Sequence, residues 1–316
     1  NIVSVGVGTF GSTGSFGGDI TVNGVTIGKG ANSVATNTAL GVSALTSATT
    51  GVRNTAIGSG TLDALTTADN NIAIGDQALG ANVTGSNNVA IGRNAMIVST
   101  GADNNTAVGR SALQQNAAGN NTAVGRDALA ANTTGTRNIA VGGLALDANT
   151  TASDNVAMGY AAGGAITTGT ENVTIGNYAN DANVTGNYNV AMGHGALGAN
   201  TASNNVAVGR KALLTNSTGQ QNVAVGGEAL EANTTGNYNV GLGKNALLNN
   251  TTADNNTAVG TYSLDANTTG ANNTGLGFGA LGGNTTASNN TAVGYGALLS
   301  NTTGTDNVAV GFGALD

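Results

Sequence analysis

The chain has 316 residues, a formal net charge of −7, 52 glycines and no cysteine. Negative charge spread over the whole length argues against a phosphate-binding surface, and so against a nucleic-acid partner, while the lack of cysteine removes disulfide frameworks and thiolate metal sites. Aromatic residues, at 3%, cannot fill a thick globular core, but a hydrophobic fraction of 40% that returns in register excludes disorder and fits a thin core of small side chains.

No apolar run approaches the roughly 20 residues that span a bilayer. The opening NIVSVGVGTFG carries neither an initiator Met nor a basic segment, so the chain is expected to be a processed product or fragment. Residues 1–36 are Gly-rich, with one strand-like run, Asp19 to Ile27 (DITVNGVTI), whose β-formers flank the Asn23-Gly24 turn signal. This segment is read as a cap or docking unit preceding a repeat domain over residues 37–316.

From Asn37 onward one short pattern recurs, clearest from Asn222 to Gly236 as NVAVGGEALEANTTG. Its glycine, Gly226, serves as the anchor, and equivalent glycines run from Gly41 to Gly311 in 17 coils, with 14 steps of 17 residues and 2 of 16. A fixed short period of this kind is the signature of a solenoid. The fold class expected is all-β, a parallel β-solenoid or β-roll with coils of ~17 residues.

Positions are counted from the anchor. Asn stands at −4 in all 17 coils, the residue at −3 is Val, Ile or Thr, and the residue at −1 is always aliphatic. Alternation with period two makes this a short strand, with −3 and −1 expected inward and the small residue at −2 (Ala56, Ala107, Ala140, Ala207, Ala258, Ala309) outward. On that reading Val225 is a core residue, a Val225→Asp change disrupts its coil, and the alanines form a rod-long stripe for packing against other chains. The anchor glycine then bends the backbone where a Cβ would crowd the next coil.

Ala at +3 and usually Leu at +4 follow, as in Ala229-Leu230, with Leu as the larger core plug. Asn occupies +7 in 12 of the 16 complete coils, followed by Thr-Thr-Gly or Thr-Thr-Ala, which is turn chemistry. No stripe of period 3.6 survives these glycines and turns, so helices are a poor alternative. Strands stacked about 4.8 Å apart over 16 steps give a rod roughly 77 Å long. An Asn repeated in every rung can pass amide hydrogen bonds along it.

The run Asn-x-Val-Ala-Val/Ile-Gly-x-x-Ala, as in NNVAIGRNA at Asn87–Ala95 and NNVAVGRKA at Asn204–Ala212, resembles the head repeats of YadA-like trimeric autotransporter adhesins, over essentially all of residues 37–316. The resemblance implies a left-handed parallel β-roll and three chains assembled side by side into a surface-exposed adhesive head. With a preceding segment like DITVNGVTIGKG at Asp19–Gly30, the repeats also resemble parts of phage tail-fibre proteins. The coil is longer than the commonest adhesin-head coil, and the chain shows no neck, heptad stalk or anchor barrel.

A hexapeptide acyltransferase helix needs multiples of six residues and a catalytic histidine, whereas the one histidine, His194, sits at +1, where other coils place Arg93, Arg110, Arg126, Arg210 and Lys244. A solvated polar face accounts for it. Asp69, Asp103, Asp154, Asp254 and Asp306 precede the strand Asn without the Gly-Gly-x-Gly-x-Asp spacing of calcium-binding rolls, and turn capping is the reading taken. The Thr pairs, such as Thr133-Thr134 and Thr234-Thr235, form a hydroxyl ladder of the kind an ice-binding face needs, but their place beside Gly in a turn favours turn stabilisation. The Asn-Thr-Thr triplets match the glycosylation acceptor pattern because the repeat itself contains it.

No catalytic, cofactor-binding or metal residue is assigned, and no cofactor. The expected protein is non-enzymatic, extracellular, at a cell surface or in a virion fibre, and self-assembling into a fibre both laterally, with three chains by the resemblance, and end to end. End-to-end growth is expected because the sequence stops at Ala314-Leu315-Asp316 within a coil, without a polar capping repeat, while residues 1–30 offer strands to a neighbour's edge. The alternative is an adhesin or tail-fibre segment that binds a surface glycan or protein receptor. Such a tip is expected to carry an insertion or an aromatic cluster, and no coil has one.

Overall fold

In a computed structural model of the chain, which describes residues 19–316, the repeat is a β-solenoid of stacked coils, with no α-helix among the described residues. It opens with a hairpin, β1 (Ile20–Val22) and β2 (Val25–Gly28). The hairpin turns through Asn23 and Gly24, both at positive φ, as a two-residue primed turn requires. Strand β3 (Thr38–Val42) starts the first coil, and sixteen three-residue strands follow, from β4 (Thr55–Ile57) to β19 (Val308–Val310). From β3 onward each pairs in parallel with the next, in register by coil position, so that Val206, Val223 and Val240 lie one above another.

The N-terminal hairpin does not wait for a neighbour. β2 pairs antiparallel with β3 of its own chain, Ile27 opposite Leu40, and the Asp19 carboxylate accepts the Lys29 and Gly30 N–H groups at 2.6 and 2.7 Å. The first coil's open edge is therefore covered from within the chain. Residues 25–28 thus pair with the first coil of their own chain, and the part of the cap or docking reading that falls on residues 1–18 lies outside the described residues.

The inward face of the strand is the opposite of the one expected. The residue at −2 is the buried one in every coil (Ala56, Ala140, Ala207 and Ala224 are at 0% exposure), whereas −3 and −1 face outward, Val225 at 39% and Met158 at 45%. The cause is the width of the lumen. At Gly241, which holds the −2 position one coil beyond Ala224, an added Cβ would sit 3.2 Å from the Ala246 carbonyl and 3.4 Å from Leu230 Cδ1, so one methyl fills the space and a Val has none. A shift of one residue in a period-two pattern turns every side chain to the other face. The same tightness explains the coil anchored at Gly260, where Ser263 replaces Ala at +3 and Gly275 replaces Ala at the −2 position that follows. A Cβ on Gly275 would meet Ser263 Oγ at 2.5 Å.

Across the lumen stand the +4 leucines, among them Leu45, Leu79, Leu129, Leu197 and Leu230, all fully buried. Each sits in the left-handed region, φ 50–54° for the last four, a conformation that costs an ordinary residue on the order of 1–2 kcal/mol. Burying a Leu side chain returns a comparable 1.5–3 kcal/mol. The backbone is held as well, since Leu230 N–H donates to the Ala246 carbonyl of the next coil at 3.0 Å. The anchor glycines are at φ 125–154°, and a Cβ on Gly226 would lie 2.5 Å from the carbonyl oxygen of Gly243. That stack admits only glycine.

Two asparagine ladders close the coil. At −4, Asn222 Oδ1 accepts the backbone N–H of Asn239 at 2.9 Å, and Asn222 Nδ2 donates to the Gly236 carbonyl at 2.8 Å. At +7, Asn233 Nδ2 donates to Asn216 Oδ1 at 2.8 Å and to the same Gly236 carbonyl at 3.0 Å. Through Asn290 both sets are buried, and these bonds supply the partners that buried polar groups need. The internally bonded strand ladder is as the sequence suggested, and the +7 Asn, read only as a turn residue, is a second ladder beside it.

The interior changes character near its middle. Number the coils 1–17 by their anchors from Gly41 to Gly311. Coil 8 places Gly163 at +4 and moves its large side chain to Ile166 at +7, while coil 9 has Thr174 at −2 and Asn180 at +4, both buried. The apolar core accordingly separates into one cluster ending at Ile166 and another beginning at Ala179. Ile166 removes the amide that would have met Asn149 Oδ1, and both that oxygen and Asn180 Nδ2 are buried without a partner.

Candidate interaction surfaces

The aspartates that precede the strand Asn make structural contacts. Asp69, Asp103 and Asp254 each accept a backbone N–H from the preceding coil, from Val52, Ser86 and Asn237 at 2.6–2.7 Å, which is the capping role expected. Asp154 instead takes a two-pronged bond from Arg137 at 2.6 and 2.7 Å. That bond holds its carboxyl below the usual carboxylate range and raises the Arg137 guanidinium in turn. Asp306 accepts Asn289 Nδ2 at 3.1 Å. Asp147, Asp181 and Asp265, all at +5, are pushed up by partial burial. Among the described residues no group of three or more His, Cys, Asp or Glu could hold a metal ion.

The threonine ladder is a turn device. The first Thr of each pair donates its hydroxyl to the next coil's carbonyl, Thr133 to Thr150 at 2.9 Å and Thr234 to Thr251 at 2.9 Å. The acceptor-pattern asparagines Asn132, Asn233 and Asn267 are buried in the +7 ladder, so their amides are committed inside the fold.

Two surfaces stay open along the rod. The first is the outer face of the strand sheet, built from −3 and −1 and therefore lined by Val, Ile, Leu, Met and Thr in every coil; Ile91, Met158, Met192, Val225 and Leu242 are among its exposed members. It replaces the stripe of small residues expected from the sequence: the stripe exists, but it lies inside the lumen.

The second is the corner that follows the anchor, where +1 and +2 side chains project. No single coil has an aromatic cluster, but stacking makes one from successive coils. Phe278, Tyr295 and Phe312 at +1 form a row with centroids 5.2 Å apart and interplanar angles of 9° and 10°, joined edge-on by Tyr262. Earlier on the corner, Tyr160, Tyr178 and His194 meet edge to face. A tabulation of +1 by coil number would have shown the row, because equal positions become neighbours in a solenoid. The arginines of the same corner carry ion pairs, Arg110 to Asp127 at 3.0 Å and Arg126 to Asp127 at 3.6 Å.

A scan of the chain against protein-family models and a comparison with curated proteins found no match. No helix among the described residues is long and apolar enough to cross a membrane.

Proposed function

We propose that the protein is a non-enzymatic structural component of an extracellular, cell-surface or virion fibre, and that the rods associate side by side through the outer face of the strand sheet. The observation that carries this is the outer face of the sheet, which runs the length of the repeat with an aliphatic side chain at −1 in every coil and Val, Ile or Thr at −3. Full burial of an aliphatic side chain, worth about 1.5–3 kcal/mol, corresponds to about 60–120 Å² at about 25 cal/mol per Å². With each residue about a third exposed, the face offers on the order of 600–1,200 Å² along the rod. A stable interface needs about 800 Å² from each partner, and the largest apolar patches of ordinary monomers reach only about 300–600 Å². The adhesin resemblance favours three chains. End-to-end growth belongs to the same proposal, through the outer edge of β1, which among the described residues pairs only with β2.

Charged substitutions on this face test it. Val225→Asp with Leu242→Asp is expected to leave the coils folded by circular dichroism while dispersing the assembly in sedimentation. A wild-type chain that sediments as a monomer at micromolar concentration overturns the proposal. Attachment to a surface glycan or protein receptor is the second reading, favoured by the exposed aromatic row, which a binding screen against neutral glycans addresses.

A further inference from the structure

The acceptor pattern for N-linked sugar, Asn-x-Ser/Thr, occurs 17 times in the chain, and the fold sorts these asparagines by what their side-chain amides have left to do. Ten are fully buried in the two ladders, where Asn132 Nδ2, for instance, donates to Asn116 Oδ1 at 2.7 Å and to the Gly135 carbonyl at 2.9 Å. Asn301 is bonded in the same way. The other six are exposed. Three of them have committed the amide, Asn249 to the Asp265 carbonyl at 2.8 Å, Asn272 to Asn289 Oδ1 at 3.3 Å and Asn289 to Asp306 Oδ1 at 3.1 Å. That leaves Asn104, Asn120 and Asn255, whose exposed amides make no hydrogen bond to another described residue.

We propose that Asn104, Asn120 and Asn255 are acceptor sites for N-linked sugar on the folded rod. All three stand at −5, on a backbone that is itself fixed: their N–H groups donate to the carbonyls of Ser86, Asp103 and Asn237 in the preceding coils at 3.0, 3.1 and 3.1 Å. Their φ angles of 60–65° are in the left-handed region, which Asn tolerates better than most residues. Each amide is thus held out from a rigid turn. Two residues on, Thr106, Thr122 and Thr257 open their strands at −3, on the outward face and half-buried, so the hydroxyl that the pattern requires lies at the surface as well. In the transfer the amide nitrogen bonds to the anomeric carbon of a glycosyl phosphate or pyrophosphate donor. The bond from that carbon to the phosphate oxygen breaks, the phosphate leaves with the electron pair, and the amide proton passes to a base of the transferase.

The repeat does not dictate these three sites as it dictates the Asn-Thr-Thr triplets. Position −5 holds Arg53, Asp154, Glu171 or Tyr188 in other coils, and −3 is Val or Ile in ten of the 17. A sugar at −5 disturbs neither the ladders nor the lumen, and it stands at coils 5, 6 and 14, where Thr makes the neighbouring sheet face less apolar than Val or Ile does. The proposal is independent of side-by-side packing: rods that sediment as monomers leave it untouched.

Peptide mapping by mass spectrometry of the chain isolated from the cells that make it is the direct test, with sugar expected on Asn104, Asn120 and Asn255. A chain bare at all three overturns the proposal, as does sugar on Asn132 or Asn233, whose amides the folded ladder uses. The sorting by free amide is tested on the folded, unmodified chain with UDP-glucose and a soluble asparagine glucosyltransferase that reads the same pattern. The three sites are expected to take glucose about 2- to 10-fold faster than Asn272 and Asn289, which must first give up a hydrogen bond, and the buried asparagines to take it only after denaturation. Thr106→Val, Thr122→Val and Thr257→Val install the residue that other coils carry at −3, as at Val89 and Val206. Each should abolish glucose at its own site and leave the circular dichroism unchanged. Equal rates at all five exposed sites, or glucose that survives the Thr→Val changes, would overturn the assignment.

Discussion

Replacing Ala224 by Val tests the inward face of the strand against the alternative that the sequence pattern favours. Ala224 and Val225 are neighbours on β14 (Val223–Val225), one fully buried and the other 39% exposed. Two further methyl groups at 224 enter a lumen in which the same position one coil on has 3.2 Å to a carbonyl and 3.4 Å to a leucine methyl. Overpacking of this kind costs about 1–3 kcal/mol. Long repeat arrays do not unfold as one two-state unit, so the assay is amide hydrogen exchange, coil by coil. At about 1.4 kcal/mol per factor of ten, exchange in the coils around Gly226 should quicken roughly 5- to 150-fold. Val225→Ala, which only trims a side chain on the outer face, is expected to stay within about 0.5 kcal/mol when measured on dispersed rods. If Val225→Ala proved as costly as Ala224→Val, the assignment of faces would be wrong.

Asn222→Ala should cost about 1–3 kcal/mol, because it leaves the buried Asn239 N–H without its acceptor, while the Gly236 carbonyl keeps Asn233; chemical denaturation followed by local exchange reads this, and an unchanged midpoint would count against the ladder. Asn180→Leu restores the side chain that most coils carry at +4 and removes an unpartnered buried amide, so it should raise stability by about 1–3 kcal/mol and slow exchange between coils 8 and 10; no change there would mean that the break in the core is energetically silent. Asp265→Asn should stabilise slightly, by less than about 1 kcal/mol, at neutral pH. Burial raises the folded-state carboxyl above its unfolded value, so the wild-type group favours folding only when protonated, and the gain should fade in thermal melts as the pH drops toward about 4. A gain that grew on acidification would reverse the sign of that argument.

Much of the fold could be read from the residues because the repeat supplies the answer 17 times over. The anchor glycines had to mark a close approach, the strand Asn had to be satisfied if buried, and Leu was the one large plug on offer. The choice of face failed for a definite reason. Valine is more hydrophobic than alanine, which favours it as the inward residue, but hydrophobicity ranks residues and does not measure the space into which they must fit. The left-handed conformation of the +4 leucines was invisible for the same cause. Nothing in a Leu side chain asks for positive φ, and only the stacking of Leu230 N–H on the Ala246 carbonyl holds it there. The aromatic row escaped because each ring stands alone in its coil, Phe278 and Tyr295 being 17 residues apart.

These constraints also decide where function can be written on such a chain. Position −4 is held by the Asn ladder, −2 and +4 by the lumen, and the anchor by a gap that admits no Cβ, so a change at any of them is answered first in stability. Positions −3 and −1 face out but carry aliphatic or Thr side chains in coil after coil, which a single-rod fold does not require: solvent would accept Lys or Glu there at little cost. Position +1 faces out as well and varies freely, from Arg126 through Gly143 and Tyr160 to Phe312. On the function proposed above, a face kept apolar without an internal need packs against a partner of the same kind along its length. The outward positions are therefore where substitutions can change what the rod meets without first changing whether it folds, and a charged side chain at −1 or −3 separates the two effects, because it should leave the coil intact while altering only the surface.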